Sequence, residues 1–105
     1  MDKRILKGFQ SEITAEYWLT KQGFIVYSKK AVQSPIDFIC YNPEDHAILL
    51  VDVKSSSYRR SGQRANKVNN FIYRSPTPVQ KKIGVRLLYV SDEGECSLDT
   101  PINKC

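Results

Sequence analysis

The chain has 105 residues, of which 41% are hydrophobic and 26% are charged, and its formal net charge is +5. This composition is typical of one soluble domain and excludes a collagen or a disordered tail. No apolar run approaches the ~18 residues of a membrane span, and the first residues lack the apolar stretch of a secretory signal. We therefore expect a single cytoplasmic domain over residues 1–105 and, because a short chain buries little surface, a homo-oligomer.

The cysteines and the histidine do not form a recognisable metal-binding or disulfide pattern. Cys40, Cys96 and Cys105 are far apart and include no C-x-x-C pair. The single histidine, His46, lies in the turn-rich segment 42–46. The sequence thus indicates neither a zinc site nor a disulfide framework, and it predicts a turn role for His46.

Patterning in chain order predicts a small mixed α/β domain. Residues 4–22 are expected to form a helix that stops at Gly23. Its apolar side comprises Leu19, Ile5, Phe9, Ile13, Leu6 and Tyr17. Strand-type runs occupy 24–28, 36–41, 47–53 and 85–91, a short helix is expected at 79–83, and the acidic tail is expected to add an edge strand or helix. The predicted fold is an N-terminal helix packed on a small mixed central sheet.

Positive charge is concentrated in one part of the chain. Residues 54–86 carry nine Lys or Arg and no acidic residue, whereas residues 1–53 carry six against seven. Ordinary surfaces intersperse both signs, so this distribution favours a polyanionic partner; a solubilising loop is the alternative. We assign contacts with such a polyanion to a basic insert at about 55–82, with candidates Arg59, Arg60, Arg64, Lys67, Arg74, Lys81 and Lys82.

The hairpin formed by the second and third strands brings two aspartates together. If Tyr41 pairs with Ile48 across the turn, Asp37 and Asp52 lie directly opposite on one sheet face, and Lys54 points to the same face. Opposed like charges are destabilising unless a cation lies between them. Two carboxylates with water and a phosphate oxygen form the environment that magnesium prefers.

The helix offers a further carboxylate. Glu12 and Glu16 fall inside its apolar arc, where an unpaired carboxylate pays a large desolvation penalty. We expect Glu12 to join the aspartates, whereas Glu16 fits an edge position with its head group in water.

These residues resemble the PD-(D/E)xK nuclease superfamily, especially its small Holliday-junction-resolvase-like and phage or intron homing-endonuclease branches. The resemblance covers residues 8–57 and rests on Glu12 in KGFQSEITAEYWLTKQGFIV, Asp37 in SPIDFIC, and Asp52 with Lys54 in LLVDVKSSS. The chain departs from the resolvase pattern in having isoleucine directly before Asp37 and aspartate, rather than glutamate, at position 52. Both departures occur within the superfamily.

The resemblance implies a restriction-endonuclease-like core and Mg²⁺-dependent hydrolysis of nucleic-acid phosphodiesters, with Mn²⁺ able to substitute. By it, Asp37, Asp52 and the backbone carbonyl of Val53 would be metal ligands, and Glu12 would complete the site directly or through water. Lys54 would orient or activate the attacking water and stabilise charge on the phosphate.

A downstream glutamine adds a weaker match. Gln80 in TPVQKKIG is similar to the glutamine of VRR-type nuclease domains, and by that resemblance would hold a water or a phosphate near the site. The alternative for Gln80 is a surface amide on a helix.

The function expected from the sequence is a metal-dependent DNA endonuclease of homing or junction-resolving type, from a phage or a bacterium by analogy. A homodimer is expected because one site per chain cuts one strand. One alternative is a DNA-binding module on a nuclease-like fold that has lost catalysis. Another is an RNA-binding protein, for which no aromatic platform motif is present.

Overall fold

A computed structural model describes residues 2–31, 33–56 and 75–98 of the chain. In these residues a long helix packs on a five-stranded mixed sheet. The helices are α1 (Lys3–Lys21) and α2 (Pro78–Ile83). The strands are β1 (Ile25–Ser28), β2 (Phe38–Tyr41), β3 (Ile48–Ser55), β4 (Arg86–Val90) and β5 (Cys96–Leu98). The predicted fold class, a mixed α/β domain with its first helix on the sheet, is confirmed.

The strands lie in chain order, β1-β2-β3-β4-β5. All neighbours are antiparallel except β3 and β4, which are parallel and are joined by a crossover that contains α2. Tyr41 pairs with Ile48, so the predicted hairpin register is confirmed. The acidic tail adds β5 to the edge of the sheet beside β4, one of the two forms expected for it.

The ends of α1 follow from local chemistry. The Asp2 side chain accepts a hydrogen bond of 2.7 Å from the Arg4 N–H and so caps the first turn. At the other end Gly23 takes a φ of +100°, a conformation that side chains with a Cβ resist, and the helix stops there as predicted. His46 lies in the predicted β2–β3 turn with a φ of 64°.

The face of α1 that packs on the sheet agrees with the predicted one only at Leu19. Ser11, Ala15 and Leu19 are buried, whereas the other five residues of the predicted apolar side are exposed: Ile5, Leu6, Phe9, Ile13 and Tyr17. The physical reason is the short distance between α1 and the sheet, because only small side chains such as Ser11 and Ala15 let the helix approach so closely. The desolvation cost of burying the Ser11 hydroxyl is offset by its 2.7 Å hydrogen bond to the Ser55 hydroxyl on β3.

The two faces of β3 have different roles. Val51 belongs to the core beneath α1, and Val53 packs against that core. Because side chains alternate along a strand, Asp52 and Lys54 lie on the other face. The register sets them beside Leu87 and Tyr89 of β4, which are also buried. The sheet therefore carries buried groups on both sides where the candidate site lies.

None of the helices in the described part of the chain is both long enough and apolar enough to cross a membrane.

Alanine substitutions at two glycines are expected to change the free energy of unfolding in opposite directions. Gly84 ends α2 with a φ of 81°, so Gly84→Ala is expected to lower the free energy of unfolding by about 1–2 kcal/mol. Gly8 lies inside α1 with nothing within 4 Å of an added Cβ, so Gly8→Ala is expected to raise it by about 0.5–1 kcal/mol. Urea denaturation measures both. Equal effects of the two substitutions would contradict the assigned backbone conformations.

Candidate active site

Asp37 lies directly before β2, between the ends of two neighbouring strands. Its backbone N–H donates to the Val51 carbonyl of β3 at 2.8 Å, and its carbonyl accepts from the Lys29 N–H, just beyond β1, at 3.2 Å. The Asp37 side chain is only 6% exposed. Strand pairing thus fixes a buried carboxylate at the end of the sheet.

Both oxygens of that carboxylate have close donors. Oδ1 accepts from the Lys29 ammonium at 2.6 Å, and Oδ2 accepts from the Val53 N–H at 2.7 Å. The N–H and C=O of one strand residue face the same edge of the strand. The Val53 carbonyl therefore faces the side of β3 on which Asp37 lies.

Asp52 lies on β3 and is held from two directions. Its Oδ2 atom is 3.2 Å from the Lys54 ammonium and accepts a hydrogen bond of 2.9 Å from the Gln80 amide nitrogen. The same Gln80 nitrogen donates to the Pro35 carbonyl at 2.9 Å, which ties the segment before β2 to α2. Gln80 is 5% exposed, so the alternative of a surface amide is wrong.

The start of α2 explains why Gln80 is so well placed. Thr77 and Gln80 form a capping box, in which each side chain accepts from the other residue's backbone N–H. Pro78 occupies the first helical turn, where its missing N–H costs nothing. The Gln80 oxygen is therefore used inside the helix, and its nitrogen is left to donate to Asp52.

The Asp37 and Asp52 carboxyl groups lie close enough together that a proton held by Asp52 can be donated to Asp37. Burial opposes ionisation of Asp37, but hydrogen bonds from Asp52, Lys29 and the Val53 N–H outweigh it and hold the Asp37 pKa below its usual value. Burial, together with the hydrogen bond to Asp37, raises the pKa of Asp52. Asp37 is thus the ionised member of the pair, and Asp52 takes up the proton as the pH falls.

Glu12 lies on α1, in the wall of a cleft of about 530 Å³ that Lys29 and Asp37 also line. Burial, and next the charge of Asp37, raise the pKa of Glu12, while Lys29 lowers it. Glu16 lines the same cleft and is exposed, as expected of an edge position.

The donor set is one of hard oxygen atoms, which suits Mg²⁺ or Mn²⁺ rather than zinc. It comprises the paired carboxyls of Asp37 and Asp52 and the Val53 carbonyl. Over residues 2–31, 33–56 and 75–98, no three His, Cys, Asp or Glu side chains are close enough together to form a metal-ligand group. Glu12 thus lies within electrostatic range of the pair without completing a three-carboxylate cluster.

The predicted site residues fall into three groups. The structure brings Lys54 and Gln80 into contact with Asp52, which lies beside Asp37, and Glu12 lies within electrostatic range of both aspartates. Lys81 and Lys82 are exposed on α2, directly after Gln80. The remaining predicted DNA contacts lie outside the described residues: Arg59, Arg60, Arg64, Lys67 and Arg74.

Sequence reasoning missed Lys29. The signal that could have found it is the register of β1 on β2, in which Ser28 pairs with Phe38. One step further along the same register sets Lys29 opposite Asp37. Only the β2–β3 hairpin is evident from its turn, so this second register does not follow from the sequence alone.

Neither the protein-family models nor the curated protein sequences include a match to this chain. Among solved structures, the bacterial homing endonuclease I-Ssp6803I is similar, with a TM-score of 0.64 and 20% sequence identity. The similarity covers 92% of this chain and 68% of that one. At this level of identity the comparison establishes a shared fold: the chain has the fold of a bacterial homing endonuclease.

Asp52→Asn is expected to stabilise the metal-free protein. Asparagine can still donate to Asp37 and accept from Gln80, but it removes the second buried charge, so the free energy of unfolding should rise by about 1 kcal/mol at pH 7. The pKa of Asp52 is raised in the folded state above 3.8, so its ionised form costs stability above the raised value. The gain should therefore shrink as the pH falls through that value and vanish below 3.8.

Melting curves in EDTA between pH 8 and pH 3 measure this difference. The matched control is Asp92→Asn, because Asp92 is an exposed carboxylate paired with Lys7. Its effect should stay within about 0.5 kcal/mol. An Asp52→Asn variant less stable than the wild type at pH 7 would show that the Asp52 charge is not penalised.

Gln80→Met should destabilise the fold by about 1–3 kcal/mol, because Asp52 and the Pro35 carbonyl lose their shared donor in a buried setting. Lys81→Met on the same helix replaces an exposed side chain and should change stability by less than about 0.5 kcal/mol. Urea denaturation compares the two. Similar losses for both would mean that only the helix, and not the amide, matters.

Proposed function

We propose that this protein is a metal-dependent endonuclease that hydrolyses phosphodiester bonds of DNA. The observation that carries the proposal is the convergence of Asp37, Asp52 and Lys54 at one end of the sheet. The shared fold with a bacterial homing endonuclease supports the same conclusion.

Asp37, Asp52 and the Val53 carbonyl would hold Mg²⁺, or Mn²⁺ in its place, with Glu12 in contact directly or through water. An ion held there would supply Lewis-acid chemistry, polarising a phosphate oxygen and lowering the pKa of a bound water. The remaining tasks fall to the side chains of the chain itself. Gln80 keeps one Asp52 oxygen in a fixed position, so the pair does not reorganise when substrate arrives.

Lys54 supplies positive charge at the reacting phosphate. Its ammonium is 3.2 Å from Asp52, and its side chain is 35% exposed, so the head group lies where the buried site meets solvent. An ammonium has three donors, which leaves donors for the attacking water and for a phosphate oxygen. Lys54 would therefore orient the water and stabilise charge that develops in the transition state.

DNA would be held mainly by backbone contacts. Lys81 and Lys82 on α2 stand next to the residue that fixes Asp52. The predicted basic residues between 59 and 74 would extend this surface. Phosphate contacts give affinity without reading sequence, so binding should weaken steeply with salt.

The substrate is either duplex DNA at a homing-type site or a branched junction. In both versions two strands are cut, and one site per chain cuts one of them. A two-fold homodimer is the economical arrangement for such a reaction.

A DNA-binding module without catalysis is the second candidate. One observation favours it: Lys29 and Lys54 already neutralise Asp37 and Asp52 by ion pairs at 2.6 and 3.2 Å. Carboxylates so paired can serve structure alone.

A cleavage assay decides between the two candidates. Labelled linear duplex, four-way junction and single-stranded DNA are incubated with Mg²⁺, Mn²⁺ or EDTA. The wild type is expected to cut with either metal and not in EDTA, and Lys54→Met and Asp52→Asn should each reduce the rate at least ~100-fold.

The control is Lys21→Met, at the far end of α1, where the ammonium lies over the Tyr17 ring rather than in the site. It should keep the wild-type rate. If the wild type binds DNA tightly and in a salt-sensitive manner but cuts none of the three substrates, the enzyme hypothesis is rejected in favour of the DNA-binding module.

A further inference from the structure

We propose that Lys29 exchanges partners during the reaction, holding Asp37 while no metal is bound and moving to a DNA phosphate once a divalent cation occupies Asp37. The inference rests on the proposed function and deepens it. It assigns a role to Lys29, a cation of the site that the resemblance to nucleases did not include.

Strand pairing fixes where Lys29 lies. It continues the β1–β2 register to the position opposite Asp37, and its backbone N–H donates to the Asp37 carbonyl at 3.2 Å. Its ammonium is 2.6 Å from Asp37 Oδ1. The Lys29 side chain is 26% exposed against 6% for Asp37, so the ammonium approaches the buried carboxylate from the solvent side.

The charges of the side chains at the site favour a change of partner by Lys29 when a divalent cation binds. Three carboxylates, Glu12, Asp37 and Asp52, face two ammonium groups, those of Lys29 and Lys54. With all three carboxyls ionised and no metal bound, the set carries one excess negative charge, and a bound divalent cation reverses that excess to one positive charge. A phosphodiester then restores neutrality, so Lys29 is the cation freed to meet it.

Sterics and side-chain chemistry allow the move. A divalent cation on Asp37 would compete with the ammonium for the same oxygen, and like charges repel. Lysine is a point charge on a flexible four-carbon stem, with donors in three directions. Lys29 also lines the cleft of about 530 Å³, which gives its ammonium open space to enter.

Metal affinity is the first test, and it needs no cleavage. Ca²⁺ takes oxygen ligands as Mg²⁺ does, and its binding to the DNA-free protein can be followed by calorimetry. Lys29→Met removes the competing ammonium and should bind Ca²⁺ about 5–10-fold more tightly than the wild type. Lys30→Met, at the exposed neighbouring position, should bind Ca²⁺ as the wild type does.

The salt dependence of DNA binding is the second test. Each phosphate contact adds about 0.9 to the slope of log K against log salt. In Ca²⁺, Lys29→Met should lower that slope by about one relative to the wild type. In EDTA, where Lys29 is held by Asp37, the two slopes should agree. Lys30→Met should change the slope equally in both conditions.

Lys29→Arg keeps the test decisive if the methionine variant fails to fold. A guanidinium binds a carboxylate through two parallel hydrogen bonds and releases it less readily. This variant should bind Ca²⁺ several-fold more weakly than the wild type.

Two results would overturn the inference, and only the second would also reject the proposed nuclease function. Ca²⁺ affinity in Lys29→Met equal to or below that of the wild type would make Lys29 a permanent partner of Asp37, and the proposed nuclease would stand. A wild type that binds no Ca²⁺ would reject the metal-dependent function and the exchange together.

Discussion

The contact between the Asp37 and Asp52 carboxyls is the constraint on which the rest of the structure depends. Two buried acids side by side are unfavourable unless their charge is met. Lys29 and the Val53 N–H meet the charge of Asp37, while Gln80 and Lys54 meet that of Asp52. No buried side-chain nitrogen or oxygen in the described residues lacks a hydrogen-bond partner. Donors from β3, from α2 and from the residue that follows β1 thus converge on the pair, and these hydrogen bonds and ion pairs help to hold the three segments in place.

The topology makes that gathering possible. Parallel pairing of β3 with β4 requires a long crossover, because the chain must return to the starting end of the sheet before β4 begins. The last part of this crossover is α2, which the Thr77 capping box starts and Gly84 ends. A connection that the sheet needs anyway therefore delivers the Gln80 amide to Asp52. The same amide holds the Pro35 carbonyl, so the loop before β2 and the crossover are positioned by one side chain.

What the sequence predicts and what it misses have physical reasons. One turn of fixed length sets the register of the β2–β3 hairpin. That register in turn predicts that Asp37 and Asp52 lie close together. The packing face of α1 does not follow, because hydropathy rewards large apolar side chains while close contact with a sheet selects Ser11 and Ala15. Lys29 is missed for a different reason: its partner is set by the β1–β2 register, which no short turn specifies. Side-chain partners across the crossover, such as Gln80 with Asp52, are visible only in three dimensions.

The net charge of this protein and the local charge of its candidate site have opposite signs. The chain as a whole carries a net charge of +5, yet at the candidate site beside the cleft the carboxyl groups of Glu12, Asp37 and Asp52 outnumber the ammonium groups of Lys29 and Lys54. Exposed apolar side chains of α1, among them Phe9 and Ile13, line that cleft beside Glu12. Walls of low dielectric focus the field of the acids within them. Under the proposed function, the net positive charge would attract a polyanion over long distances, while the carboxyl groups of the candidate site would attract a small cation over short distances. Under the proposed function, a complex that contains both would satisfy the two fields at once, and a phosphodiester and a divalent cation together should therefore bind this site better than either alone.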